Sequence, residues 1–261
     1  MISSSQNAKI KLIRALAGRP KDRREAGAFL AEGVRLVEEA LSANWPFRYV
    51  LFTDGLSERG LQLQKKIEES GIETEKVENG LLRSLSETET PQGILAVLNE
   101  SRLPIPEPLD FLLILDQIRD PGNLGTLLRS AHAAGVQAVS LSPETTDAFA
   151  PKVVRAGMGA HFQLAIRSIS WDEIHRQTKG LKAFLADMQG QSCWEEDFRQ
   201  PMSLIIGGEA EGASEQAQKL AASRVRIPMT GKTESLNAAV AGSVLMFEVM
   251  RQRTMNLRTA S

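Results

Sequence analysis

Ser101–Leu109 reads SRLPIPEPL, and three prolines in nine residues exclude both a helix interior and a central strand. The segment 102–109 therefore reads as an interdomain linker. It separates a domain of residues 1–101 from one of residues 110–261. Each side has its own alternation of helix and strand. In AEGVRLVEEALSAN, Val34, Val37 and Leu41, with Leu36 and Ala40 beside them, have helical spacing. FRYVLFT is rich in β-branched and aromatic residues and reads as a strand. LQLQKKIEES is a second amphipathic helix and GILAVLN a late strand, so the first half is a small α/β domain.

The second half is more regular. LDFLLILD is a nearly unbroken apolar run, as expected of a strand covered on both faces in a parallel sheet. A turn, DPGNLG, and a helix follow. AVSLS is the next strand, and PKVVRAGMGA a helical or irregular piece. LKAFLADM, MSLIIGGEAEG and VRIPMTGK are apolar strands that each run into a turn, and NAAVAGSVLMFEVMRQ is a long, largely apolar closing helix. Strands alternating with helices predict a mainly parallel sheet covered by helices.

In such sheets ligands gather at the carboxyl ends of the strands, and three loops there have unusual residues. In DPGNLGTLLRSA, Asn123 can cap a helix beginning near Leu124. Leu124, Leu127, Leu128 and Ala131 mark its buried stripe, and Arg129 falls roughly 150° from the centre of that stripe. Arg129 thus faces water or a partner. In IIGGEAEGAS, Gly207, Gly208 and Gly212 allow close backbone approach, while Glu209 and Glu211 repel a triphosphate and suit hydroxyl, amino or cationic groups. In IPMTGKTESLNAAVA, the GKT does not make a P-loop, because Arg226 stands where that motif needs glycine. Ser235 lies where a helix N-cap belongs and Asn237 in the first helical turn. No loop reads GxGxxG, so a nicotinamide-type dinucleotide fold is disfavoured.

The formal net charge of -1 announces no polyanionic partner, but the start of the chain is locally basic. Lys9, Lys11, Arg14, Arg19, Lys21, Arg23 and Arg24 stand against Asp22 alone, as a solvated terminus or as an arm that meets phosphate. Cys193 is the only cysteine, and His132, His161 and His175 stand apart, with no metal-ligand spacing. No signal-peptide core opens the chain and no apolar run approaches the roughly 18 residues of a membrane span, which predicts a cytoplasmic protein.

Taken together and in this order, DPGNLGTLLRSAHAAGV, IIGGEAEGAS and IPMTGKTESLNAAVA resemble the TrmH (SpoU) family of RNA ribose 2′-O-methyltransferases, of the SPOUT class. REAGAFLAEGVRLVEEAL resembles the start of that family's N-terminal substrate-binding domain, a small ribosomal-protein-like RNA-binding fold. The resemblance implies a C-terminal parallel-sheet domain with a deep trefoil knot, a homodimer built on it, and S-adenosylmethionine as cofactor, with no metal and no membrane. It implies that Arg129, Asn123, Glu209, Ser235 and Asn237 form the catalytic set, with Arg129 supplied across the dimer. The cofactor would lie against Gly207, Gly208, Glu209, Gly212, Ile227, Met229, Ser235, Leu236 and Ala241. RNA would meet Lys9, Lys11, Arg14, Arg23, Arg24 and Arg129. The expected substrate is large-subunit ribosomal RNA. Transfer RNA, or a catalytically silent ribosome-assembly protein on the same fold, are the alternatives. Two positions depart from the family's pattern: Gly208, where asparagine is usual, and Ala239, where serine or threonine is usual.

Overall fold

A computed structural model describes residues 1–209, 212–231 and 235–259, with side chains described as far as Thr254. Glu211, the second acid of the glycine-rich turn, lies outside the described residues. The chain divides into two compact units: Met1–Ser101 with Asp147–Phe162, and Arg102–Thr146 with Gln163–Ser261.

The first unit begins with α1 (Ala8–Ala17) and α2 (Pro20–Ala26), followed by β1 (Ala28–Glu32), α3 (Val34–Ser42), β2 (Phe47–Phe52), α4 (Glu58–Glu69), β3 (Thr74–Lys76), α5 (Asn79–Arg83) and β4 (Ile94–Asn99). The sheet order is β1-β4-β2-β3. β4 is antiparallel to both neighbours and β2 is parallel to β3, so β1, β2 and β3 share one carboxyl edge. Ile10, Ile13 and Leu16, spaced along one face of α1, are fully buried against Leu51, Leu95 and Val97 of the sheet. A helix whose apolar face is fixed in this way is part of the core, not a free basic arm.

That burial changes the meaning of the basic start. Arg23 is buried, with its Nε 2.7 Å from Asp147 and its Nη1 donating to Leu16 O at 2.7 Å. A side chain so enclosed cannot meet RNA, which corrects the expectation for Arg23. Lys9 is held between Glu73 (2.6 Å) and Glu75, which draws its ammonium away from any second anion. Lys11, Arg14 and Arg24 remain exposed.

The stretch Asp147–Phe162 contributes α7 (Pro151–Gly157) and a short 3-10 turn to this first unit. The expected continuous domain of residues 110–261 is therefore interrupted. Aromatic contacts explain where the stretch goes: Phe149 lies 4.8 Å from Phe29 between ring centroids, and Phe162 lies 5.3 Å from Trp45. His161 is buried in the same cluster, with Nε2 2.8 Å from Ala148 O, and burial pushes its pKa down to about 4.

The second unit holds β5 (Phe111–Asp116), α6 (Pro121–Ala133), β6 (Ala138–Leu141), β7 (Ala165–Ser168), α8 (Trp171–Gln177), β8 (Lys182–Ser192), β9 (Met202–Gly207), α9 (Glu215–Leu220), β10 (Ser223–Arg226) and α10 (Ala238–Thr259). Its six strands run β10-β8-β9-β5-β6-β7, parallel throughout. Every residue of β5 is buried, which is why its sequence is an unbroken apolar run rather than an alternating one. β9 enters the sheet between β5 and the earlier strand β8, so the loops after β5 and β9 come out side by side. The proline segment is not a free linker. Leu103, Ile105 and Leu109 pack against the core of this unit, and the chain uses the prolines to hold an extended path while burying the residues between them.

Candidate active site

Asp116, the last residue of β5, organises the loops at the carboxyl edge. It is fully buried, and its carboxylate accepts from Ser142 Oγ at 2.8 Å and from Ser214 N at 2.7 Å. One side chain thus fixes the turns that follow β6 and β9. The sequence reading passed over Asp116 as the end of an apolar strand; an acid closing such a run was the available signal.

The helix after β5 starts earlier than expected. Asp120 is the N-cap of α6, accepting from Asn123 N at 2.8 Å, and Pro121 takes the first helical position. Proline suits that position because its φ is already helical and its missing N–H would have no partner there. The cap therefore belongs to Asp120, not to Asn123, and the side chain of Asn123 is released for other work. It donates from Nδ2 to Glu209 Oε1 at 2.5 Å.

The third loop is corrected in the same way. Asn237, not Ser235, caps α10: its Oδ1 accepts from Ala239 N at 2.9 Å and Val240 N at 3.2 Å. Its Nδ2 is then turned toward the other loops, donating to Glu209 Oε1 at 2.7 Å and to Asn123 Oδ1 at 3.1 Å. Three motifs whose outer members lie 114 residues apart in sequence thus close into one triangle of two amides and a carboxylate. Each amide has a fixed polarity here, because Glu209 only accepts and Asn237 Oδ1 is already occupied by the helix.

Gly208 explains its own departure from the usual pattern. A Cβ at this position would lie 2.7 Å from Gln117 O, so the loop after β5 rests directly on the glycine backbone. An asparagine there would require the Gln117 carbonyl to move. A Cβ on Gly207 would meet Ala213 N at 2.7 Å, because the turn folds back on itself through the Gly208–Gly212 bridge. Ala239 is buried in the first turn of α10, and nothing in the structure explains why alanine stands there.

Beside the triangle lies a cavity of about 600 Å³. Gly207, Gly208, Glu209, Gly212, Ile227, Met229, Ser235, Leu236 and Ala241 all line it, together with Asn237. Sequence reasoning missed its other wall, Ala186–Gln189 midway along β8, because nothing in that stretch marks it as a ligand-facing loop. Among the described residues the only cation on the lining is Arg226, whose Nε donates to Gly190 O at 3.0 Å, while Glu209 and Asp187 bring carboxylates. Such walls fit an apolar ring system carrying positive charge and do not fit a polyphosphate. A second, smaller cavity of about 250 Å³ shares Gly208, Glu209, Gly212 and Ala238 with the first and is lined by Arg119, Asp120 and Asn123 on its far side.

Arg129 is not in this group. It is exposed, and it lines neither cavity. Six residues separate it from Asn123, which places it about 120° away around the helix. Cys193 offers no nucleophile: it is buried, and burial pushes its thiol up to about 11. Among the described residues no group of three or more His, Cys, Asp or Glu could hold a metal, and no helix is long and apolar enough to cross a membrane.

The SpoU rRNA Methylase family matches residues 110–247, and the MRM3-like substrate binding domain matches residues 7–96. The chain belongs to the SpoU rRNA methylase family. The 23S rRNA (guanosine(2553)-2′-O)-methyltransferase RlmP of Bacillus subtilis is 32% identical, over 95% of this chain and 98% of its own length. The 23S rRNA (uridine(2479)-2′-O)-methyltransferase of Streptomyces viridochromogenes is 34% identical, over 96% of this chain and 92% of its own length. Among solved structures, the AdoMet-bound rRNA methyltransferase of Sinorhizobium meliloti superposes with a TM-score of 0.84 at 30% identity, covering 96% of this chain and 97% of that one. The SpoU methyltransferase AviRb of Streptomyces viridochromogenes, in complex with AdoMet, superposes with a TM-score of 0.82 at 30% identity, covering 95% and 100%. The family's fold, a SPOUT parallel-sheet domain with an N-terminal substrate-binding domain, is the fold described above.

Proposed function

We infer that this SpoU-family chain transfers a methyl group from S-adenosylmethionine to a ribose 2′-hydroxyl of large-subunit ribosomal RNA, and that it does so as a homodimer. The observation that carries the reading is the Asn123–Glu209–Asn237 triangle standing between two cavities of unequal size. The larger cavity takes the cofactor, whose uncharged ring and positive sulfur and amino groups match apolar walls with carboxylates at the rim. The smaller cavity receives the ribose. Bound in the larger cavity, S-adenosylmethionine supplies an electrophilic methyl carbon.

The protein's task is then positioning, since a displacement of this kind needs the hydroxyl oxygen aligned with the methyl carbon. Glu209 holds the amides of Asn123 and Asn237 in one orientation, and those amides in turn orient the ribose. The backbone of Gly207 and Gly208 brings the cofactor close, because no side chain stands in its way. Ser235 and Leu236 close the cavity ahead of α10.

Arg129 belongs to the partner's half of the site in this reading. Its exposure on α6 leaves it available to a second copy. Val240 and Phe247, two turns apart on α10 and both exposed, give the apolar surface such a copy would cover. Arg129 then holds the ribose–phosphate unit and stabilises the developing alkoxide. As the oxygen–methyl bond forms, the sulfur–methyl bond breaks and S-adenosylhomocysteine leaves, while the hydroxyl proton passes to a phosphate oxygen of the RNA. The 2′-hydroxyl requirement selects RNA over DNA. Large-subunit ribosomal RNA is the choice because RlmP and the uridine 2479 enzyme, both similar along the whole chain, are named for 23S rRNA.

Labelled methyl transfer to ribosomal RNA extracted from cells lacking the gene tests the reading. Incorporation at a single ribose 2′-oxygen of the large-subunit RNA is expected. Cofactor binding by calorimetry without transfer to any RNA would favour a silent assembly protein, and transfer confined to transfer RNA would overturn the substrate.

A further inference from the structure

The first unit has its own cavity, of about 620 Å³, at the carboxyl edge shared by β1, β2 and β3. It is lined by residues from the start of α3, from the loop before α4 and from α5, with Thr90–Gly93 leading into β4 closing it. Three arginines face it: Arg35, Arg59 and Arg83. Its one carboxylate, Asp54, is already paired with Lys76 at 2.7 Å. Arg59 is partly committed, with its Nε 3.0 Å from Glu38. Arg35 and Arg83 are exposed and, among the described residues, have neither an ion pair nor a hydrogen bond. Two guanidinium groups without a protein partner on the rim of one cavity are a charge arrangement that attracts an anion.

At the basic start of the chain Lys11, Arg14 and Arg24 are exposed as well, but two of its cations are already spent. There, Arg23 is buried on Asp147 and Lys9 is enclosed by Glu73 and Glu75. At the α3–α5 cavity two of the three arginines are free and the one carboxylate is taken. The floor is also shaped for close approach. Gly93 has φ +78°, and a Cβ on it would stand 2.5 Å from Thr53 Oγ1. Gln92 reaches over to accept from Val34 N at 2.8 Å, which keeps the entrance of α3 in place. The volume is in the range of pockets that enclose a small organic group, large enough for a nucleotide with its phosphate.

We propose that this arginine-lined cavity is where the N-terminal unit grips its RNA, taking a single-stranded segment whose phosphates pair with Arg35 and Arg83 while one nucleotide enters between them. The proposal rests on the reading of the chain as an RNA methyltransferase. Sequence-selective proteins take unpaired RNA because its bases can be turned outward, whereas a paired helix offers only its backbone and a shallow groove. The cavity has no aromatic platform, so the grip is made through phosphates and polar edges and not by stacking. Arg35 and Arg83 act here as binding residues, distant in the chain from the residues that touch the reacting atoms.

The full-length protein and its Arg35→Ala/Arg83→Ala variant are compared on large-subunit ribosomal RNA extracted from cells lacking the gene. Filter binding across a salt series gives the affinity and its salt slope, and methyl transfer gives KM and kcat. The variant is expected to bind about tenfold more weakly, with a salt slope reduced by roughly 1.4, at about 0.7 per phosphate contact on single strands. KM for RNA rises, kcat at saturating RNA stays within about twofold, and S-adenosylmethionine binding is unchanged. A Lys65→Ala/Lys66→Ala variant on α4, which removes the same charge from an exposed helix face, is the internal control, expected to leave KM and the slope close to the parent's, and a Lys11→Ala/Arg14→Ala variant tests α1 as the competing contact. If the parent transfers methyl groups and the arginine variant keeps the parent's KM and slope, the cavity is not the grip. The same holds if the α1 variant takes the larger loss. If the parent transfers nothing to any RNA, the reading of the whole chain fails instead. An unchanged thermal melting curve and an intact cofactor titration separate either result from misfolding.

Discussion

The two units solve a similar problem with opposite chemistry. Both set loops at the carboxyl edge of a sheet and surround a cavity of about 600 Å³ with them. In the second unit the loops are joined to one another by Asn123, Glu209 and Asn237 at 2.5–3.1 Å, and the polar groups are spent on fixing geometry. In the first unit Arg35 and Arg83 have no partner among the described residues, and the polar groups are left for a ligand. A site that must align a hydroxyl with a methyl carbon gains from rigidity, because small displacements cost large factors in rate. A site that must hold a long polyanion gains from unspent charge.

The largest test of that division is Arg129→Ala. If Arg129 completes the rigid site from a partner subunit, methyl transfer falls about a hundred- to a thousandfold, in the range of losing one positioned donor. Calorimetry should find cofactor binding unchanged. Mixing this variant with a cofactor-blind partner, such as one carrying a bulky residue at Gly208, should recover part of the activity if the site is shared, and none if it is not.

Arg23 tests the other side of the comparison, since it is the cation of the basic start that is buried. Arg23→Ala leaves Asp147 facing a vacated interior and should cost about 3 kcal/mol in urea unfolding, reduced from a fully enclosed pair because Asp147 is partly solvated. Lys11→Ala, on the exposed face of α1, should change stability by no more than about 0.5 kcal/mol. Equal effects would mean that the basic start is one continuous surface after all.

Asn237 can be divided into its two duties. Asn237→Ser retains a capping oxygen but loses the amide donor, so stability should hold while methyl transfer falls about a hundredfold. Asn237→Ala should lose both, with about 1 kcal/mol of stability gone in thermal unfolding. Identical rates for Asn237→Ser and the parent would show that the triangle does not orient the substrate.

The smallest expected effect is that of pH on the aromatic cluster of the first unit. The pKa of His161 is lowered from 6.5 to about 4 by burial. Above pH 6.5 both folded and unfolded chains hold it neutral, and it contributes no pH dependence. As pH falls below 6.5 the unfolded chain takes up the proton first, so stability drops, by about 2 kcal/mol at pH 5 from this residue alone. Denaturant unfolding between pH 7 and 5 should show this slope, and His161→Phe should flatten it.

Much of the second unit could be read in the sequence because its strands are buried on both faces. LDFLLILD and MSLIIG announce themselves by being apolar without alternation, and the glycines after them mark where the chain turns toward a ligand. The motif residues were legible as candidates for the same reason. Their partners were not. Asn123 and Ser235 were each assigned a helix cap, and in each case the neighbouring Asp120 or Asn237 takes it, because caps are settled by where a helix starts and that boundary shifts by a residue or three with the tertiary fit. Arg23 was grouped with its neighbours by charge, although Asp147, which fixes it, lies far along the chain.

The alternation of strands and helices, the glycine turns that follow the buried strands, and the residue types that could carry methyl transfer are all written in the order of the residues. All of these are local, since a residue's spacing to its near neighbours decides which face it shows. Only the tertiary structure decided which of those residues meet: that Glu209 joins Asn123 to Asn237, that Asp116 fixes two turns, and that Asp147–Phe162 returns to the first unit. Such pairings depend on strand order. β9 comes to lie between β5 and β8 through long-range burial, and no local pattern records it.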